Sequence, residues 1–92
     1  MSDANLTVLL IEDDPAFVRL LQRVLAEEFA RRGDPFPFTF TWSDTLHAGL
    51  AALNRGGIDV ALVDLSLPDE TGIAIFAAVA AAAPDLPLIV LT

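Results

Sequence analysis

Three short apolar runs restrict this chain more than any other feature: LTVLLI at Leu6–Ile11, an apolar stretch within Ile58–Leu65, and LPLIVL at Leu86–Leu91. They are too short for ordinary helices and do not alternate polar with apolar. Such runs read as strands buried on both faces, as in a parallel sheet covered by helices. Parallel neighbours need a crossover rather than a hairpin, and the crossover is usually a helix.

The intervening segments supply those helices. Asp14-Pro15 is the pattern of an N-cap with proline in the first turn. Phe17, Val18, Leu21, Val24, Leu25 and Phe29 then recur at helical spacing. A helix is expected over about Pro15–Arg31, with Arg31 and Arg32 favourable at its C-terminal end and Gly33 ending it. In Phe36–Trp42 the aromatic residues Phe36, Phe38, Phe40 and Trp42 alternate with Pro37, Thr39 and Thr41. That is a strand with one apolar face, and Pro37 puts it at a sheet edge. Ser43 or Asp44 is expected to cap a second helix, about Thr45–Arg55, ended by Gly56-Gly57. Ser66–Gly72 reads as a loop. Ile73–Ala83 is an alanine-rich helix with Ile73, Phe76 and Val79 as its core stripe, stopped by Pro84. The order β-α-β-α-β-α-β predicts one three-layer α/β domain, an open parallel sheet with right-handed crossovers and helices on both faces.

Composition narrows the function. Five arginines, no lysine and thirteen carboxylates give a net charge of −8, which argues against nucleic acid or an anionic membrane as a direct partner. Cysteine is absent, so there is neither a disulfide framework nor a thiolate metal site. His47, the single histidine, cannot make a zinc site alone and reads as an ordinary surface or half-buried side chain. No stretch reaches the ~18–20 apolar residues that span a bilayer, and Met1–Thr7 lacks a basic signal-peptide start. A cytoplasmic location is the default expectation.

Ligands in open α/β sheets bind beyond the carboxyl ends of the strands. Glu12 and Asp13 leave the first strand at that edge, and Asp64 leaves the third. If those strands are neighbours, three carboxylates converge and raise one another's pKa unless a cation joins them. Oxygen-only ligands favour Mg²⁺ or Mn²⁺ over zinc. The alternative is a solvated acidic loop cluster. No glycine-rich turn follows the first strand, so phosphate-loop and dinucleotide sites lose support.

With LLIEDDP at Leu9–Pro15, VDLSLPDETG at Val63–Gly72 and LIVLT at Leu88–Thr92, the chain resembles a response-regulator receiver domain, the phosphoacceptor module of two-component signalling. The resemblance covers essentially the whole chain. It implies a flavodoxin-like receiver fold and a signalling domain rather than an enzyme. Asp64 then matches the aspartate that takes a phosphoryl group from a phosphohistidine. Glu12 and Asp13 match the acid pair that binds Mg²⁺, with Mn²⁺ as a substitute. Asp13 is expected to ligate directly, and Glu12 directly or through water. Ser66 matches the position whose backbone carbonyl ligates the metal. Thr92 matches the switch hydroxyl, Pro68 and Gly72 look structural, and Asp14 matches no required position beyond its cap. A sensor histidine kinase or a phosphotransfer protein is the implied donor.

The family also carries a lysine after a fifth strand, and this sequence has no lysine. The last strand and the last two helices of the family are missing as well. Residues 1–92 therefore read as a receiver domain truncated after the fourth strand, with impaired phosphorylation. In the family's sheet order the fourth strand would be left as an apolar edge, which predicts a homo-oligomer through Leu86–Leu91. Two other readings compete. One is a non-phosphorylated interaction module that keeps only the fold. The other is a Mg²⁺-dependent phosphohydrolase with an aspartate nucleophile. Such enzymes place a second aspartate two residues on, where this chain has Ser66.

Overall fold

A four-stranded, all-parallel sheet in the order β2-β1-β3-β4 forms the centre of the molecule. The computed structural model describes residues 5–91. In chain order the elements are β1 (Leu6–Ile11), α1 (Pro15–Arg31), β2 (Phe38–Ser43), α2 (Leu46–Arg55), β3 (Val60–Asp64), α3 (Ile73–Ala82) and β4 (Leu88–Leu91). This is the three-layer α/β architecture that the apolar runs predict, in the flavodoxin-like form that the receiver resemblance implies. The strand order reverses direction between β1 and β3, which makes the crevice beyond their carboxyl ends the place for a ligand.

The two faces of the sheet are built differently. Leu9, Ile11, Ala61 and Val63 join Leu46 and Ala52 of α2, Ile75 and Val79 of α3, and Leu67 in one buried cluster. α2 approaches β1 closely at Gly49, where an added Cβ would overlap the Ile11 side chain and stand 2.9 Å from its Cγ1. On the other face lies α1, of which only Val18 is fully buried. Val8, Leu25, Phe38, Phe40, Val60, Leu62 and Ile89 line an apolar groove of about 140 Å³ on the sheet. Edge-to-face contacts among Phe29, Phe36 and Phe38, with centroids 5.4–5.8 Å apart, tie the end of α1 to the start of β2.

Several details differ from the sequence expectation. β2 begins at Phe38, because Pro37 offers only its carbonyl, which accepts from the Leu6 amide at 2.7 Å. α2 is capped by Thr45, whose Oγ1 accepts from the Ala48 amide at 3.0 Å, and not by Ser43 or Asp44. Ser43 is the last residue of β2. The buried stripe of α3 is Ile75 and Val79, whereas Ile73 and Phe76 face outward. Asp14 is the N-cap of α1 as expected, its Oδ1 accepting from the Ala16 amide at 3.0 Å.

Candidate functional site

Parallel pairing sets the site. Ile11 of β1 is in register with Val63 of β3, so the residues next after this pair stand side by side at the carboxyl edge, Asp64 being the last residue of β3. Glu12 and Asp13 follow Ile11, and Asp64 follows Val63. One carboxylate oxygen from each of Glu12, Asp13 and Asp64 lies within 4.8 Å of the others. The three acids singled out in the sequence therefore meet at the switch point.

Their environments differ. Glu12 is only 6% exposed, Asp64 is half-buried and Asp13 is exposed. Burial pushes the Glu12 carboxyl above its ordinary value. The Asp14 amide, donating to Glu12 Oε2 at 3.1 Å, acts the other way, and the charges of Asp64 and Asp13 add to the upward shift. A buried acid that resists ionisation beside two more acids suits a hard divalent cation, because the cation removes both the repulsion and the desolvation penalty. The donor set is oxygen alone, which fits Mg²⁺ or Mn²⁺.

The backbone of Glu12 is held from both sides by β2. Its amide donates to the Ser43 carbonyl at 3.0 Å, which continues the ladder one step past β1. Its carbonyl accepts from the indole Nε1 of Trp42 at 2.7 Å. Trp42 has no place in the sequence reading of the site. Aromatic alternation marks it as a strand residue and gives no hint that its polar edge reaches the acid-bearing turn.

Asp64 sits at the base of the β3–α3 loop, and the loop is tightly built. The Ser66 amide donates to Asp64 Oδ1 at 3.1 Å, fixing one carboxylate oxygen. Ser66 pairs with Thr71 in an isolated antiparallel bridge. The Leu67 amide donates to the Glu70 carbonyl at 3.0 Å, and the Gly72 amide to the Leu65 carbonyl at 2.8 Å. Gly72 has φ +72° and ψ −153°, a region open essentially to glycine alone. Leu67 is buried in the core cluster. Asp69, near the tip, reaches over to α2. Its Oδ1 accepts from the Leu46 amide and its Oδ2 from the His47 amide, both at 2.9 Å. Those bonds hold the Asp69 carboxyl below the ordinary aspartate range. Asp69 was also missed by sequence reasoning, since its partners lie 22 and 23 residues upstream.

β4 is in register with β3 such that Leu91 stands opposite Asp64. Thr92, the expected switch hydroxyl, lies outside the described residues. His47 is exposed and has no ligand partner among the described residues.

Known proteins agree with this architecture. "Transcriptional regulatory protein GlrR" of Escherichia coli is 29% identical over 92 residues, which is 100% of this chain and 19% of that protein. "Swarming motility regulation protein RssB" of Serratia marcescens is 34% identical over 87 residues, 95% of this chain and 36% of that protein. The chain thus spans about a fifth to a third of the length of these curated relatives. Among solved structures, the signal receiver domain of an HD domain-containing protein from Pseudomonas fluorescens superposes with a TM-score of 0.77 at 19% identity, covering 98% of this chain and 60% of that one. A crystal structure of histidine kinase ThkA in complex with response regulator protein TrrA matches with a TM-score of 0.76 at 21% identity, covering 95% of this chain and 68% of that one. The family described as "Response regulator receiver domain" matches residues 8–92, and the chain belongs to that family, as a receiver domain of two-component signalling.

Proposed function

We propose that Asp64 is the phosphoacceptor of this domain, with Mg²⁺ held by Glu12, Asp13, Asp64 and the backbone carbonyl of Ser66. The observation that carries this reading is the convergence of the three carboxylates within 4.8 Å at the carboxyl edge of the sheet. One oxygen of Asp64 is engaged by the Ser66 amide. An Asp64 oxygen attacks the phosphorus of a phosphohistidine. The new O–P bond forms as the P–N bond breaks, and the electron pair returns to the imidazole nitrogen of the donor. When bound, Mg²⁺ supplies charge neutralisation to the acids and the phosphoryl oxygens. Glu12, kept in place through its backbone by Ser43 and Trp42, is a pre-positioned ligand. Thr92 is assigned the hydroxyl that hydrogen-bonds a phosphoryl oxygen.

The donor is a sensor histidine kinase or a phosphotransfer protein, which sets the activity in the cytoplasm. That a structural neighbour was crystallised with a histidine kinase supports this partner. Among the described residues no helix is long and apolar enough to cross a membrane. The −8 charge disfavours direct nucleic-acid contact. For a chain of residues 1–92, a second copy is a further partner, through β4, which is an edge strand among the described residues and where Ile89 is 52% exposed. Apolar edge strands template pairing. Ser66 stands where a phosphohydrolase would place its second aspartate, so Asp64 acts as an acceptor and not as a hydrolytic nucleophile.

Intact-mass measurement after incubation with acetyl phosphate and Mg²⁺ tests the assignment. One phosphoryl group is expected on a chain of residues 1–92, slowly, because those residues include no lysine to pair with it. None is expected on Asp64→Asn. Undiminished labelling of Asp64→Asn would overturn the assignment. Sedimentation of wild type against Ile89→Lys tests the β4 contact, which requires the substitution to dissociate the assembly.

A further inference from the structure

The loop that carries Asp64 and Ser66 has two anchors beyond its own strand. Leu67 is one, buried in the core cluster that also holds Leu46, Ile75 and Val79. Asp69 is the other, and its contact is unusual. A helix leaves four amides at its N-terminus without partners. In α2 the Gly49 amide makes the ordinary helical bond to the Thr45 carbonyl, and the Ala48 amide is capped by Thr45 Oγ1. The amides of Leu46 and His47 are both taken by the Asp69 carboxylate, one on each oxygen. A local residue caps one of the partnerless amides, and a residue from the loop of the neighbouring β-α unit caps two more.

We propose that Asp69 is a positioning residue for the acceptor site: its carboxylate clamps the Asp64–Gly72 loop to the N-terminus of α2, and so fixes where the Ser66 carbonyl stands. The proposal rests on the reading of the Asp64 site given above. A clamp at the tip reaches Ser66 because the loop between them is closed by its own bonds. Leu67 and Glu70 are joined at 3.0 Å, and Ser66 is bridged to Thr71. The Ser66 amide in turn holds Asp64 Oδ1. Moving Asp69 therefore moves this closed turn, and with it the carbonyl and the amide that flank Asp64. The bonds are charge-assisted, and a carboxylate at a helix N-terminus also gains from the helix dipole. The clamp is available whenever Asp69 is ionised, and both amide bonds favour that form.

A purely structural cap makes a different prediction, and Thr45 provides the comparison. Thr45→Ala removes a cap bond from the same helix without touching the loop. Mn²⁺ binding, followed by water proton relaxation, is measured for wild type, Thr45→Ala, Asp69→Ala and Asp69→Asn. Thr45→Ala is expected to bind as wild type does. Asp69→Ala is expected to bind about threefold to tenfold more weakly, less than the 10–100-fold typical when a group bonded directly to a ligand is lost. Asp69→Asn keeps one carbonyl acceptor and is expected to fall between. Equal affinity of Asp69→Ala and Thr45→Ala would overturn the positioning role. If Asp69→Ala does not fold, Asp69→Asn binding as wild type does would overturn it instead. Asp13→Asn separates the two levels of inference. If wild type and Asp13→Asn bind alike, the reading of the metal site fails and the positioning role fails with it. If they differ while the Asp69 variants match wild type, only the clamp fails. Amide exchange adds a readout without metal: Leu46, His47 and Ser66 should all exchange faster in Asp69→Ala, and an unchanged rate at Ser66 would also overturn the proposal.

Discussion

The indole Nε1 of Trp42 lies 2.7 Å from the backbone carbonyl of Glu12 and donates to it, so the end of β2 braces the turn that delivers two of the three site acids. Trp42 as a residue is 45% exposed, so its polar edge matters more here than its burial. Trp42→Phe keeps most of the ring and deletes the donor. It is expected to cost about 1 kcal/mol of stability, the usual net value of one hydrogen bond, and to weaken Mn²⁺ binding severalfold. Urea unfolding and a relaxation titration measure the two effects. Stability loss without any change in Mn²⁺ affinity would mean that the brace serves the fold alone.

Glu12 illustrates how the proposed metal site conflicts with a stable metal-free fold. Its folded-state pKa is raised, chiefly by burial and then by Asp64 and Asp13. Between the unfolded and folded values the native protein keeps a proton that the unfolded chain has released. Stability therefore falls as pH rises through that window, and the full penalty is present above it. Glu12→Gln, which retains an acceptor for the Asp14 amide, is expected to stabilise the metal-free protein at neutral pH. The advantage should vanish below the ordinary glutamate range. With saturating Mn²⁺ the order should reverse, because the wild type gains more binding energy. Thermal unfolding in chelator and in Mn²⁺ across pH checks all three statements, and a metal-free variant less stable than wild type at neutral pH would contradict them.

Asp69 has the opposite sign. Its folded pKa is lowered by the Leu46 and then the His47 amide bond. Its contribution to stability is present above the ordinary aspartate range and is lost as pH falls through the depressed folded value. The wild type and Asp69→Asn are therefore expected to converge in stability in acid and to diverge above it, which acid titration of both proteins by circular dichroism resolves.

Gly49 is a point of close approach between α2 and β1. A Cβ there would stand 2.9 Å from Ile11 Cγ1 and closer still to its Cδ1. Alanine gains up to ~1 kcal/mol of helix propensity over glycine, whereas overpacking costs about 1–3 kcal/mol. Ile11 is fully buried in the cluster beneath the site, so it has little room to yield. Gly49→Ala is expected to be net destabilising, and Gly49→Val more so. A chemical denaturation series measures this, and a stabilised Gly49→Ala would show that Ile11 repacks freely.

The parts of this molecule that were legible in the sequence share one physical property: they depend on local pattern. LTVLLI announces a buried strand and LPLIVL a strand, although Ile89 and Val90 of the latter are exposed and not buried on both faces as its apolar run suggests, and Asp14-Pro15 marks the start of α1. The acids Glu12, Asp13 and Asp64 are readable because strand ends are readable and parallel order brings those ends together. What was not legible depends on partners distant in sequence. Asp69 bonds to α2 and Trp42 to Glu12 across intervals that leave no periodic trace. The phase of α3 is the plainest case. Ile73–Ala82 is apolar on every side, so no polar face tells which residues turn inward.

The inward pair of α3 is Ile75 and Val79, four residues apart and 0% and 1% exposed. Ile73, which leads the stripe expected from sequence, is 75% exposed. The two phases make sharply different predictions for neighbouring substitutions. Ile75→Ala removes a side chain packed in the cluster that also holds Leu67, and large-to-small changes of this kind cost roughly 2–5 kcal/mol. Ile73→Ala acts at the surface and is expected to stay within about 0.5 kcal/mol of wild type. Because Leu67 anchors the loop proposed to carry the acceptor, Ile75→Ala should also lower Mn²⁺ affinity in protein that remains folded, while Ile73→Ala should leave it unchanged. Paired urea unfolding and Mn²⁺ titration of the two variants decide the matter, and a larger loss for Ile73→Ala would mean that α3 packs on the sheet through its other face.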